Sequence, residues 1–496
     1  MADAWGLFIE KCREIHDILQ IQQLMEWDQQ VVMPRKGADQ RGFQMSTLAG
    51  VSHQRLTDPA LLESLADLES RSDLTQDQKA DLREARRAID RATKIPADLV
   101  QARARAVALA QVAWESAKPA NDFAFFLPHL ERVMDLTRQT AAAIGTPNAY
   151  DALLDEYEPG MTEAALKTVF GDLKARLVPL LDKILGAPNG PTQEPVMRTY
   201  PVAAQEALCR RMAADMGYDF EAGRLDRSAH PFTNGTFGDV RITTRYGETF
   251  LNMALFGTLH EAGHALYEQG LDAERYRNPS GQACSLGIHE SQSRFWENLI
   301  GRSRPFWKRY YPELKKAFPG TLDDVDLERF YGAINVCEPS LIRVEADEVT
   351  YNLHIVLRFE LESALLSGDL RPADLPSAWR EKSRALLGIE PPTDAEGALQ
   401  DIHWSAGLVG YFPTYALGNL YGAQFLEAMR AEIPDLDARV ERGDLLSPKA
   451  WLNEKIHVHG RRYLAPELCE RVTGRPLSSG PLMTYLGKKF GEIYGF

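Results

Sequence analysis

The chain has 496 residues, 44% hydrophobic and 25% charged, the balance of an ordinary soluble globular protein with a large core, and its length alone suggests two to four domains. Its formal charge of −14 argues against a polyanionic partner such as nucleic acid, which is held through a basic field. No window approaches the ~18 uninterrupted apolar residues of a membrane span, and five scattered cysteines without a C-x-x-C pair point to reduced thiols and a cytoplasmic setting, not to a thiolate metal cage.

In chain order, the opening "MADAWGLFIEKCREIHDILQ" lacks the basic start and apolar run of a secretory leader. From about residue 5 to 185, apolar residues recur at spacings of three and four, as in "LLESLADLE", "KADLREARRAI" and "LVQARARAVALAQVAW", which predicts a series of helices. Short polar or Pro/Gly breaks separate them at "MPRKGAD", "IGTPNAY" and "LGAPNGPTQEP". The absence of a fixed-period repeat argues against a solenoid. The clearest strand is "GDVRITTRYG", where β-branched residues alternate between glycines, so a small sheet is expected beside the helix that follows.

That helix, "FGTLHEAGHALYEQ", carries His260, Glu261 and His264. Residues four apart share one helix face, so both imidazoles can reach one cation. Glu261 is turned by roughly 100° from His260, off the cation but beside a water that the cation polarises, the position of a general base. A pattern of three fixed positions in five also arises by chance, but the apolar flanks "NMALFGTL" and "ALYEQG" describe a buried helix, and a buried histidine pair with a carboxylate needs a compensating partner.

A catalytic zinc takes three protein ligands and keeps one position open. Glu268 is eight residues from His260, about 12 Å along the axis at ~1.5 Å per residue, too far to share a cation. Tyr267 and Gly270 stand where the metzincin pattern wants glycine and histidine. The third ligand should therefore come from another helix, and "GIHESQSRFWENL" offers His289, Glu290 and Glu297. Spacing leaves all three open, and an acidic residue at a helix start is commonly there for the helix dipole.

Taken together, the motifs resemble those of the M32 metallocarboxypeptidases, the carboxypeptidase Taq type. The chain carries H-P-F at His230, Pro231 and Phe232, then D-x-R-x-T at Asp239, Arg241 and Thr243, then the H-E-x-x-H helix. H-E-S-Q follows at His289 to Gln292, I-R-x-x-A-D at Ile342, Arg343, Ala346 and Asp347, and G-x-x-Q-D-x-H-W at Gly397, Gln400, Asp401, His403 and Trp404. The N-terminal "MEWDQQVVMPRKGADQR" resembles the family's opening as well, so the likeness spans the chain. The resemblance implies a mainly α fold, a large helical zincin with a deep active-site cleft and a small sheet beside the metal helix, akin to neurolysin. It implies one peptidase unit over 1–496, with a helical part at 1–190 and a catalytic part at 191–496, and a homodimer. It also implies that Glu290 is the third ligand of one divalent metal, zinc in the first place and cobalt or manganese otherwise, and that Glu261 is the catalytic base.

The expected activity is removal of single residues from the free C-terminus of peptides, with no nucleic acid or membrane as partner. A helical zinc endopeptidase or oligopeptidase is the alternative, and a non-catalytic metal-binding protein a more distant one. An exopeptidase must hold a free carboxylate, for which an arginine fork is suited. Arg343 is the first choice and Arg241 the competitor, although an i,i+4 pair of Arg343 with Asp347 on a surface helix, or a solvated sheet edge around Arg241, explains either residue simply. His403, Tyr411 and Tyr415 lie in or beside a Gly- and Tyr-rich segment and are candidates to stabilise an oxyanion, with packing as the plain reading; His230 has a structural reading too. A general zincin pattern wants an acidic residue one turn after the third ligand, yet Arg294 stands four after Glu290, so the groups that orient the histidines are not evident.

Overall fold

The periodic segments near the N-terminus form eight α-helices between Ala4 and Leu185 in the computed structural model, which describes residues 4–496. The predicted breaks fall between them. Gly145, at φ 86°, ends the helix Phe123–Ile144, and the Asn148 side chain accepts the amides of Tyr150 and Asp151 to start the next. Among the described residues no helix is long and apolar enough to cross a membrane, and all five cysteines are buried and free.

The chain divides into two compact units, one of Met1–Thr93, Thr192–Ile334 and Phe425–Arg475, the other of Lys94–Pro191, Asn335–Gln424 and Pro476–Phe496.

The first unit contains the expected small sheet. Its strands are β1 (Gly223–Arg227), β2 (Thr233–Thr236) and β3 (Asp239–Thr244), in the order β1-β3-β2. β1 runs parallel to β3 with Gly223 opposite Val240, and β2 antiparallel with Thr233 opposite Ile242. Only Phe237 and Gly238 link β2 to β3, and Gly238 takes the φ of 91° that so tight a hairpin requires. Along β3 the period of two turns Val240 and Ile242 into the core, both fully buried. The helix Leu251–Gln269 packs against β2 and β3, and its apolar residues, among them Leu255, Phe256, Leu259, Ala262 and Leu266, are buried around most of its circumference. Against it lies the helix Leu286–Arg294, started by Ser285, whose hydroxyl accepts the Ile288 amide at 3.0 Å, and continued as a π-helical turn over Phe295–Ile300.

The second unit is organised around the helix Thr350–Ser367, buried on all sides and stopped by Gly368 at φ 86°. It packs on the helices Glu163–Leu185 and Leu375–Leu387. The expected helix through Arg343 and Asp347 does not form. Arg343–Glu345 is a single 3-10 turn, Ala346 is extended, and the helix begins only at Thr350. The reason is the Asp347 carboxylate, which accepts the amides of Val349 (2.8 Å) and Thr350 (3.1 Å) and the Thr350 hydroxyl (2.6 Å). Asp347 thus caps the helix start and is not the partner of Arg343.

Candidate metal centre and a buried arginine cluster

In the first unit, His260 and His264 project from one face of their helix toward the helix of Glu290. Glu290 Oε2 lies 3.5 Å from His260 Nε2 and 3.4 Å from His264 Nε2. A tetrahedral cation with bonds of about 2.0–2.1 Å has donor-to-donor edges of about 3.3 Å, so two imidazoles and a carboxylate at these separations fit a zinc-like ion. These three residues are the group of His, Cys, Asp or Glu able to share a cation among the described residues. The approach of the two helices depends on Gly263: a Cβ there would sit 2.6 Å from the Gln292 carbonyl oxygen and 2.7 Å from Ser293 Cα.

The other nitrogen of each histidine has a partner that sequence reasoning did not find. His260 Nδ1 donates to Glu297 Oε2 at 2.8 Å. His264 Nδ1 lies 2.6 Å from His289 Nδ1, whose Nε2 in turn lies 3.0 Å from Glu268 Oε1. With Glu268 able only to accept, His289 carries its proton on Nε2, so its Nδ1 accepts from His264 Nδ1. In the neutral imidazoles that a metal binds, these contacts place the proton of each ring on Nδ1 and leave Nε2 the free donor. His289, Glu297 and Glu268, each weighed as a ligand, all stand behind the histidines instead. Arg294, which looked out of place, bridges the carboxylates, its Nε donating to Glu290 Oε1 (2.7 Å) and its Nη1 to Glu297 Oε2 (3.0 Å). Glu290 Oε1 is thereby tied to Arg294, while Oε2, which also accepts the Ser293 hydroxyl at 2.8 Å, faces the histidines.

Burial and charge oppose each other across this cluster. Burial raises the carboxyl groups of Glu290 and Glu297, but Arg294 and the histidines outweigh it, leaving Glu290 well below the ordinary range and Glu297 at about 2. Burial, with two neighbouring imidazoles, takes His264 down to about 3, so it is neutral; for His260 the carboxylates of Glu290 and Glu297 overcome burial and lift it to about 9. Glu261 is only 6% exposed and is raised by that burial. Its Oε2 accepts the Thr233 hydroxyl of β2 at 2.7 Å.

Two substrate-side candidates belong to this unit. Arg241 spends both prongs on Asp239, at 2.8 Å each, and lies 4.4 Å over the ring of the buried Trp27. His230 is exposed, and its carbonyl accepts the Ser228 hydroxyl at 2.6 Å.

In the second unit, Arg343 is 6% exposed and meets Asp401, 58 residues further along, through Nε (3.1 Å) and Nη2 (3.0 Å). Its Nη1 donates to the Tyr351 hydroxyl at 3.2 Å. The other Asp401 oxygen accepts Nε of the fully buried Arg358 at 2.7 Å. Two guanidinium groups therefore share one carboxylate, which burial alone would raise and the arginines hold well below its usual range. His403 Nε2 lies 3.3 Å from the Tyr415 hydroxyl, and burial lowers this histidine to about 4. Tyr411 and Tyr415 meet edge to face at 5.4 Å. The segment is held by Glu362, buried on the Thr350–Ser367 helix, which accepts the Gly410 amide (2.7 Å), the Trp404 indole N–H (2.9 Å) and the Tyr150 hydroxyl (2.8 Å).

Comparison with known proteins agrees along the whole chain. The family model of carboxypeptidase Taq (M32) metallopeptidases matches residues 8–490. The chain is 48% identical over 507 residues to thermostable carboxypeptidase 1 of Thermus thermophilus, covering 99% of each, and 39% identical over 490 residues to carboxypeptidase 1 of Bacillus subtilis, covering 98% of each. It superposes on the crystal structure of an M32 carboxypeptidase from Deinococcus radiodurans with a TM-score of 0.97 at 42% identity, covering 99% of this chain and 100% of that one.

Proposed function

The chain belongs to the carboxypeptidase Taq (M32) family of metallopeptidases and is a metal-dependent carboxypeptidase that removes residues from the C-terminus of peptides; from this premise we propose that His260, His264 and Glu290 hold its divalent metal and that Glu261 is the general base. The observation that carries the reading is the donor set itself, a carboxylate oxygen 3.4 and 3.5 Å from two imidazole nitrogens, with the outward nitrogen of each imidazole already committed. Bound there, a divalent cation supplies Lewis acidity, polarising a carbonyl oxygen and acidifying water at neutral pH. Zinc is the metal that two imidazoles and a carboxylate suit best, with cobalt and manganese as alternatives.

The remaining roles fall to the protein's own groups. Glu261, whose carboxylate accepts the Thr233 hydroxyl, takes a proton from the attacking water and returns it to the departing amine. Arg343 is the anchor for the substrate's terminal carboxylate. Its support is charge: Arg343 and Arg358 face the single carboxylate of Asp401, which leaves one buried positive charge for an incoming anion to complete. Arg241 is the weaker competitor, since Asp239 pairs with it one to one and leaves no uncompensated charge. His403, Tyr411 and Tyr415 are donors toward the substrate or its oxyanion, and His230 is a more distant substrate contact. We further assign the chain to a homodimer in the cytoplasm, working as one peptidase unit; five buried reduced thiols support the compartment.

The decisive experiment is Glu261→Gln assayed on free-acid peptides by mass spectrometry. Turnover should fall more than tenfold while the metal stays bound, and a variant that kept over a tenth of wild-type kcat, a loss under ~1.4 kcal/mol, would remove Glu261 from the role of base.

A further inference from the structure

We propose that Thr233 is a positioning residue for the catalytic base: its hydroxyl fixes the Glu261 carboxylate in the orientation from which the proton is taken and returned. The inference rests on the assignment of Glu261 as base and goes beyond it by naming the group that holds it.

The Thr233 Oγ1 lies 2.7 Å from Glu261 Oε2 and 3.0 Å from the backbone oxygen of the same residue. A glutamate has three rotatable side-chain bonds, and a base that swings freely loses the benefit of orientation. Threonine is well suited as the restraint, because its branched Cβ limits χ1 and its strand is itself held. The holding is visible one residue earlier. Buried Thr243 of β3 donates its amide to the Phe232 carbonyl at 3.0 Å and accepts the Phe232 amide on its hydroxyl at 2.9 Å. The Ser228 hydroxyl adds a further contact to Thr243 Oγ1 at 2.7 Å. Thr243 therefore sets where β2 begins, β2 sets Thr233, and Thr233 sets Glu261.

A hydroxyl has one proton, and of the two oxygens within its reach the carboxylate Oε2, the stronger acceptor, takes it.

The test compares Thr233→Val, which keeps the branched shape and loses the hydroxyl, with Thr233→Ser, which keeps the hydroxyl. The valine variant should lose about tenfold or more in kcat with KM and metal affinity within twofold of wild type, the scale of a hydrogen bond to a charged group. The serine variant should recover most of the loss. In the Glu261→Gln background, adding Thr233→Val should change residual turnover by less than twofold, because a residue that acts through Glu261 has nothing left to act on. A valine variant within twofold of wild type, a serine variant as weak as the valine one, or additive loss in the double variant would each overturn the proposal. Glu261→Gln alone separates the two claims: if it stays active the assignment of the base fails, whereas if it is inactive and Thr233→Val is not impaired only the positioning role fails.

Discussion

Gly263→Ala is the substitution that most directly tests how the proposed metal centre is assembled. In an exposed helix the change would stabilise, since alanine exceeds glycine in helix propensity by about 1 kcal/mol. Here the new methyl would lie 2.6 Å from the Gln292 carbonyl oxygen and 2.7 Å from Ser293 Cα, both backbone positions on the helix that carries Glu290. Restoring ordinary contact requires that helix to retreat by roughly 0.6–0.8 Å, and overpacking of this kind costs about 1–3 kcal/mol. Glu290 is two residues from Gln292 and moves with it, so its oxygen would leave the 3.4 and 3.5 Å separations from the histidines. Metal sites tolerate about 0.2 Å in ligand distance, so the displacement should weaken metal binding by tenfold or more. The assay is competition with a calibrated chelator, paired with thermal unfolding with and without metal. An alanine variant with wild-type metal affinity and a Tm unchanged or raised would refute the reasoning, because the propensity gain would then have met no opposing contact.

Glu290→Ala should leave the protein metal-free after dialysis, whereas Glu297→Ala should weaken binding by ~10- to 100-fold, as expected for a group behind a ligand; equal losses measured by chelator competition would make Glu297 a ligand too. Arg343→Ala should lower kcat/KM on free-acid peptides by ~10- to 100-fold and narrow the preference for acid over C-terminal amide, with Arg343→Lys recovering only part, since an ammonium lacks the two-pronged geometry; an unchanged acid-to-amide ratio moves the anchor elsewhere. The Glu362 carboxyl, pushed up to about 7 by burial, binds its proton more tightly in the folded chain than in the unfolded one, where its pKa is about 4.3. Its contribution to stability is complete below about pH 4 and is lost as pH rises through about 7, so denaturant midpoints should fall between pH 5 and 8 more steeply in the wild type than in Glu362→Gln, and parallel slopes would show that Glu362 does not titrate there.

Much of this protein was decided by its sequence alone, wherever the deciding physics is local. Helical periodicity marked the segments from Ala4 to Leu185, and the alternating "DVRITT" marked β3. The i,i+4 spacing of His260 and His264 needs only one helix to bring two imidazoles to one face, so this half of the candidate metal centre could be read from five residues. The carboxylate that faces both imidazoles could not be read in this way. Glu290 and Glu297 are seven residues apart, close to two helical turns, and face the same direction, so only the packing of one helix on another, permitted at Gly263, decides which carboxylate meets both Nε2 atoms and which reaches the far side of His260. The same holds for the chain from His264 through His289 to Glu268, for Arg343 turning to Asp401 when Asp347 is spent on a helix cap, and for Thr233 against Glu261. Spacing along a chain encodes neighbours within one element, but a contact between elements is set by how buried surfaces fit, a property of the assembled core that no single segment carries.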